Sequence, residues 1–276
     1  MTRLLKLITL LVLGIPTSVL ASETYTVGVV PQFGPRQITQ IWQPILSEVS
    51  RSSGVQLRLK ASPNMATFEK QLNNGVFDFA YMSPNHAVTT HRRQTYKPLL
   101  KDRERQLFGI IVVKKDSLIQ SVQELNGQTI AFPSSSAIGA TLLPKAELSR
   151  KFNITMNSLY VKSHSSVYFN VVMGTVIAGG GVQKTFAQQD KKIRDKLRIL
   201  YATESVSPHP IGVHSRVSQA VQEKITSAFL ALDQQTETRQ LLAKIPIKKI
   251  GSATISDYDA VKKLQLETFQ DNKSTQ

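Results

Sequence analysis

Gly75-Val76-Phe77-Asp78-Phe79-Ala80-Tyr81-Met82-Ser83-Pro84-Asn85-His86 is the stretch that decides the fold. Gly75 closes a helical segment whose apolar positions, Met65, Phe68 and Leu72, fall at helix spacing. Residues 77–82 then form a short, nearly continuous apolar run, the pattern of a strand buried on both faces. Ser83-Pro84 is an N-cap followed by proline at the first helical position, where its missing N–H costs nothing. Helix, buried strand and helix therefore succeed one another without a hairpin, the grammar of an α/β sheet.

The same alternation runs outward in both directions. Toward the start, residues 25–30 are β-rich and end at Pro31. Residues 36–50 carry Ile38, Ile41, Trp42, Ile45, Leu46 and Val49 at helical spacing, stopped by Gly54, and residues 55–59 alternate as a strand. Toward the end, strands are expected at 107–113, 129–132, 159–162, 197–202 and 211–214, and helices at 138–151, 165–173, 218–232, 237–244 and 256–269. Ser121-Val122-Gln123-Glu124 is a capping box opening a short helix that ends at Gly127. Residues 176–178 lead into Gly179-Gly180-Gly181, which suits a turn or a close backbone approach. The order implies an α/β fold with largely parallel sheets, without repeats or low-complexity tracts.

The first residues set the compartment. Arg3 and Lys6 precede an apolar run at 7–15, then Pro16-Thr17-Ser18 and the small-residue ending Val19-Leu20-Ala21. This is a secretory leader with cleavage expected after Ala21, and the run is shorter than the roughly 20 residues a spanning helix needs. The expected location is the periplasm. The sequence has no cysteine, which excludes disulfides, thiol catalysis and thiolate metal sites. It carries 34 basic and 19 acidic residues. The basic residues are scattered, with short clusters at Arg103 and Arg105 and at Lys191, Lys192, Arg194 and Lys196, so most of the excess is a solvated surface rather than a nucleic-acid groove.

Ligands of open α/β sheets bind beyond the carboxyl ends of strands, beside helix N-termini whose unpaired N–H groups favour anions. Four such junctions are rich in small, polar or aromatic residues: Pro31-Gln32-Phe33-Gly34, Tyr81 to His86, Pro133 to Ala137, and Ser163-His164-Ser165-Ser166. Any single serine here, Ser83 above all, is adequately explained as a helix cap. Together they suggest one anion site. No G-x-S-x-G, H-E-x-x-H, Walker A or G-x-G-x-x-G motif is present, and the histidines lack acidic neighbours at ligand spacing. No catalytic residue, metal or cofactor is therefore expected.

At these junctions the chain resembles the periplasmic phosphate/phosphite/phosphonate-binding proteins of ABC transporters, the PhnD-like group of type II periplasmic binding proteins. The resemblance rests on Gly28-Val29-Val30-Pro31, the 75–84 stretch, Asp116-Ser117, Glu124-Leu125-Asn126-Gly127, Ala131-Phe132-Pro133, Pro144-Lys145-Ala146-Glu147-Leu148, Ser163-His164-Ser165-Ser166-Val167-Tyr168 and Ser207-Pro208-His209-Pro210. It implies two α/β lobes, each a mostly parallel sheet flanked by helices, joined by two crossover strands. Lobe one would comprise residues 24–106 plus 203–270 and lobe two residues 107–202, with a leader at 1–21 and a disordered tail at 271–276. It implies a small anionic ligand in the interlobe cleft, delivered to an ABC permease by a monomer; a ligand-sensing module for a membrane-bound kinase or chemoreceptor is the alternative.

The implied site positions are Tyr81, the serines after Pro133, and His164 with Ser165. With the junction residues, the expected ligand-binding set is Phe33, Tyr81, Ser83, His86, Ser134, Ser135, Ser136, His164, Ser165, Ser166, Tyr168 and His209. Three departures stand out. Ala137-Ile138-Gly139-Ala140 occupies the place of a Ser-Thr-Ser-Gly type stretch, Met65 that of a tyrosine, and the segment 178–182 lacks an acidic residue.

Overall fold

A computed structural model describes residues 23–93, 95–245 and 247–269. The expected leader at 1–21 and tail at 271–276 lie outside the described residues.

The first sheet is built from β1 (Thr24–Val29), β2 (Gln56–Ala61), β3 (Phe79–Tyr81), β4 (Tyr96–Asp102), β10 (Ile211–His214) and β11 (Ile250–Ser252), in the order β11-β4-β10-β3-β1-β2. The second contains β5 (Gly109–Lys114), β6 (Thr129–Phe132), β7 (Asn157–Tyr160), β8 (Ala178–Val182) and β9 (Leu197–Ala202), in the order β7-β6-β8-β5-β9. The parallel reading holds for β2-β1-β3 and for β7-β6-β8. The remaining pairings are antiparallel. Each sheet is thus mixed: its parallel half comes from β-α-β units, and its antiparallel half forms where the chain passes between the sheets and returns.

The helices follow from their sequence faces. α1 (Pro35–Ser53) buries Ile38, Trp42, Ile45, Leu46 and Val49, and Gly54 closes it in the left-handed conformation. α2 (Met65–Asn73) is capped by Asn64 and buries Phe68 and Leu72. Ser83 caps α3 (Pro84–Arg92), its hydroxyl accepting from the His86 N–H while its own N–H donates to His86 Nδ1. The expected 138–151 helix begins as a π turn, Ile138–Leu142, before α4 (Leu143–Phe152). α5 (His164–Met173) is capped by Ser163. Short helices α6 (Gln183–Ala187) and α7 (Lys191–Arg194) precede β9; α8 (Gln219–Ala231) and α9 (Thr236–Ala243) follow β10. The expected final helix is broken into a 3-10 turn at Ile255–Tyr258, α10 (Asp259–Lys263) and another 3-10 turn at Leu266–Phe269, with Gln265 at positive φ between the last two.

β4 carries Pro98, Lys101 and Asp102, which disguise a central strand. Proline cannot donate to a ladder, and the β10 pairing shifts register between Ile211 and Gly212 where Pro98 lies opposite. Both charges at its end are buried and matched. Lys101 Nζ meets Asp257 Oδ1 at 2.8 Å. The Asp102 carboxylate accepts from the N–H groups of Glu104, Arg105, Lys248 and Lys249. The chain leaves the first sheet just beyond, and the two crossovers pair at one bridge between Leu107 and Val206, with N–H to carbonyl distances of 2.9 and 2.8 Å.

The glycine triplet lies in β8, fully buried, where both faces of the second sheet are packed. A Cβ on Gly180 would stand 2.1 Å from the Ala140 carbonyl oxygen and 2.5 Å from the Phe132 ring. The close approach brings the π turn onto the sheet. Overpacking of this kind costs about 1–3 kcal/mol or more. Gly180→Ala is therefore expected to lower unfolding free energy by about 3 kcal/mol in urea denaturation, while Gly34→Ala, where a Cβ meets nothing within 4 Å, should change it by less than about 1 kcal/mol.

Candidate functional site

The parallel halves of the two sheets aim the ends of β1, β3, β6 and β7 at the space between the sheets. All four polar junctions meet there, around a cleft of about 850 Å³. Phe33 reaches it from the loop after β1, Ser83 from the end of β3, Ser134, Ser135 and Ser136 from the loop after β6, and Ser163 and His164 from the start of α5. Asn64, Met65 and Glu69 enter from α2 and its cap. Lys162 and Glu69 are the cation and the carboxylate among the lining residues; the other polar groups are neutral hydroxyls, amides and imidazoles.

The hydroxyls differ in what they are committed to. Ser83 and Ser163 are helix caps, Ser163 Oγ also lying 2.8 Å from Ser166 Oγ. Ser136 faces the Glu69 carboxylate, and its hydroxyl favours the charged form. Burial pushes that carboxyl up, but His86, 3.2 Å from Oε1, and Ser136 together hold it below its usual range. Ser134 Oγ is buried without a hydrogen-bond partner. The backbone carbonyl of Ser134 accepts from Thr141, which ties the serine loop to the π turn. Ala137 to Ala140, the stretch that replaces the expected hydroxyl run, forms the start of that turn and also lines the cleft.

His164 Nδ1 lies 3.2 Å from Thr185 Oγ1, and Thr185 Oγ1 lies 2.9 Å from the Tyr168 hydroxyl. Burial drives the His164 pKa down to about 4, although its edge on the cleft is still reached by solvent. His209 is buried. Burial, helped by the fields of His86 and His164, takes its pKa down to about 3. Its ring stacks on Tyr81 with centroids 5.4 Å apart, and Tyr81 packs on Trp42 at 4.9 Å. Gln32 Nε2, which can only donate, is 3.2 Å from His209 Nε2, so the neutral ring carries its proton on Nδ1. Beside this contact lies a second chamber of about 560 Å³, which Tyr81 lines.

Five expected residues stand away from the lining of the serine cleft, Tyr81 among them, which lines the second chamber instead. His86 is a buried partner of Ser83 and Glu69. Ser165 is exposed on α5, and Ser166 bonds the Ser163 cap. Tyr168 is fully buried behind His164, with its hydroxyl shared between Thr185 and the Val182 carbonyl. Asn64, Glu69 and Lys162 of the cleft, and Thr185 behind His164, escaped the sequence reading. Glu69 lies four residues after Met65, on the same face of α2, and that spacing was the available signal. Thr185 belongs to α6, whose five residues carry no recognisable period.

Two sheet-based lobes with strand ends and helix starts facing one cleft define a solute-binding protein of the type II periplasmic class. Solved structures share this fold. The binding protein component of an ABC phosphonate transporter from Pseudomonas aeruginosa is 14% identical with a TM-score of 0.79, covering 91% of this chain and 90% of that chain. PhnD1 from Prochlorococcus marinus in complex with methylphosphonate is 14% identical with a TM-score of 0.79, covering 90% and 99%. A Xanthomonas citri protein bound to ATP is 18% identical with a TM-score of 0.73, covering 91% and 99%. At these identities the likeness is one of fold. The family model of the periplasmic substrate-binding protein of phosphonate ABC transporters matches residues 27–258. The chain belongs to that family, one of binding proteins and not of enzymes. No curated protein matches it. Among the described residues no helix is long and apolar enough to cross a membrane, and no group of His, Cys, Asp or Glu is placed to hold a metal.

Both cleft histidines are neutral in the folded chain and have depressed pKa values, so the unfolded chain binds more protons between about pH 6.5 and the folded values. Their stabilising effect is complete above pH 6.5 and is lost as pH falls toward about 4 for His164 and about 3 for His209. Urea unfolding should show stability falling by about 2–3 kcal/mol between pH 7 and pH 4.5 on account of His209 alone, and His209→Gln should flatten that part of the profile.

Proposed function

We propose that the chain captures a phosphorus oxyanion of the phosphonate class between its lobes in the periplasm and delivers it to an ABC permease. The lobes, residues 24–106 plus 203–270 and 107–202, would close on the ligand by rotation about the two crossovers. The observation that carries this reading is the convergence of Ser134, Ser135, Ser136 and His164 with the starts of α5 and of the π turn on one cleft. An anion there meets hydroxyl and imidazole donors and the unpaired N–H groups of helix starts. Hydrogen bonds to a charged acceptor are roughly twice as strong as neutral ones, so such a site needs no buried cation.

His164 donates in this reading. The Thr185 hydroxyl has one proton and reaches two acceptors, the Val182 carbonyl at 3.0 Å and His164 Nδ1 at 3.2 Å; turned to His164, it keeps the ring's proton on Nε2, available to the ligand. Tyr168 and Thr185 are then positioning residues. Ser134 Oγ is a buried hydroxyl without a partner among the described residues, and a ligand oxygen would satisfy it.

Binding is tested by thermal stabilisation and titration calorimetry with phosphate, phosphite and methylphosphonate. A ligand held only by the folded chain adds about 2.7 kcal/mol at a hundred times its Kd. No stabilisation by any of the three would refute the phosphorus-oxyanion reading. Ser134→Ala should weaken the bound oxyanion about tenfold and leave the ligand-free stability within about 0.5 kcal/mol. Thr185→Val should weaken binding through His164, and Thr185→Ser should restore it.

A further inference from the structure

We infer, on the basis of the phosphonate-site reading above, that the preferred ligand carries an apolar, non-cationic organic substituent, and that this substituent lies in the second chamber while the oxyanion occupies the serine cleft. The chamber of about 560 Å³ is bounded by Ile38, Ile41 and Trp42 of α1, by Leu107 and Phe108 of the outgoing crossover and by Ile245 after α9. That volume lies in the range of pockets that enclose a drug-sized organic group. An inorganic oxyanion finds hydroxyl donors in the serine cleft and gains nothing from these apolar side chains.

The two spaces adjoin. They share Val30, Gln32, Phe33, Val182 and His209. The Gln32–His209 hydrogen bond at 3.2 Å lies among these shared residues. Gln32 sits on the loop after β1 and is only half-buried, so a passing substituent displaces one amide rather than a packed element.

The charge pattern selects the substituent. No carboxylate lines the second chamber, whereas Arg105, Lys184 and Lys244 do. Lys184 Nζ donates to the Ala243 carbonyl at 3.3 Å, and burial together with the field of Arg105 lowers its pKa. An ammonium group entering here meets like charge with no acid to offset it. The one carboxylate of the serine cleft, Glu69, is already held by His86 and Ser136.

The test is a calorimetric series on the purified protein with methylphosphonate, ethylphosphonate, phenylphosphonate and 2-aminoethylphosphonate. Burying the ring's extra apolar surface at about 25 cal/mol per Å² should make phenylphosphonate bind at least about tenfold tighter than methylphosphonate. The 2-aminoethyl compound should bind more weakly than the ethyl compound. Ile41→Glu, at a half-buried position of α1, should remove the phenyl advantage and leave methylphosphonate affinity unchanged. Ile41→Phe, which narrows the chamber without adding charge, should reduce the advantage in the same direction. Methylphosphonate binding with no gain from the phenyl group, or tighter binding of the 2-aminoethyl than the ethyl compound, overturns this inference and leaves the oxyanion site standing. Binding of none of the four overturns both.

Discussion

The architecture depends on the pair of backbone hydrogen bonds between Leu107 and Val206, where the two crossovers meet. A second pair supports it one step on: Thr203 N–H donates to the Gly109 carbonyl, and Gly109 N–H donates to the Thr203 hydroxyl. On the first-sheet side, Asp102 gathers four backbone N–H groups and fixes the direction in which the chain leaves β4. Each of these groups would be a costly orphan if it were buried unpaired. Their pairing defines where the sheets are tied and leaves the space beside the tie open as a cleft. The junctions after β1 and β3 form one wall of that cleft, and those after β6 and β7 form the other.

In the proposed reading the cleft would favour an anion through oriented dipoles rather than through net charge. Its two neutral imidazoles follow from burial, and each has a neighbour that fixes or constrains its proton: Gln32 for His209 and Thr185 for His164. The large basic excess of the sequence contributes little inside, where Lys162 is the cation lining the serine cleft. Cations gather instead at the second chamber, where they and several glutamines face an apolar side formed by Ile38, Ile41, Trp42, Leu107, Phe108 and Ile245. This separation of hydroxyl donors from apolar walls is the physical basis for expecting a ligand with two unlike ends.

Much of this was legible in the sequence, because the junctions are written in local chemistry. Pro31 ends β1, Ser83-Pro84 opens α3, Ser163 opens α5, and in each case a cap or a proline states the boundary in the residues themselves. What was not legible depends on partners far along the chain. β4 hides behind Pro98, which a register shift against Gly212 accommodates, and behind Lys101 and Asp102, which find Asp257 and the Lys248 and Lys249 N–H groups far along the chain. Tyr168 carries the polar tip expected of a ligand contact but faces the core, because Thr185 and the Val182 carbonyl wait there. The glycine triplet admitted either a turn or a close approach, and only the packing of Phe132 and the π turn against β8 decides for the second. Glu69 shares a helix face with Met65, but only the docking of α2 turns that face to the cleft.

The central claim is that the serine loop and His164 hold a phosphorus oxyanion between the lobes. The most direct measurement is a crystal structure of the protein grown with methylphosphonate. The account predicts tetrahedral density in the cleft with its oxygens within hydrogen-bonding distance of Ser134, Ser135 or Ser136 and of His164 Nε2. Density for the phosphonate elsewhere on the molecule, or a cleft holding only water at saturating ligand, would contradict it.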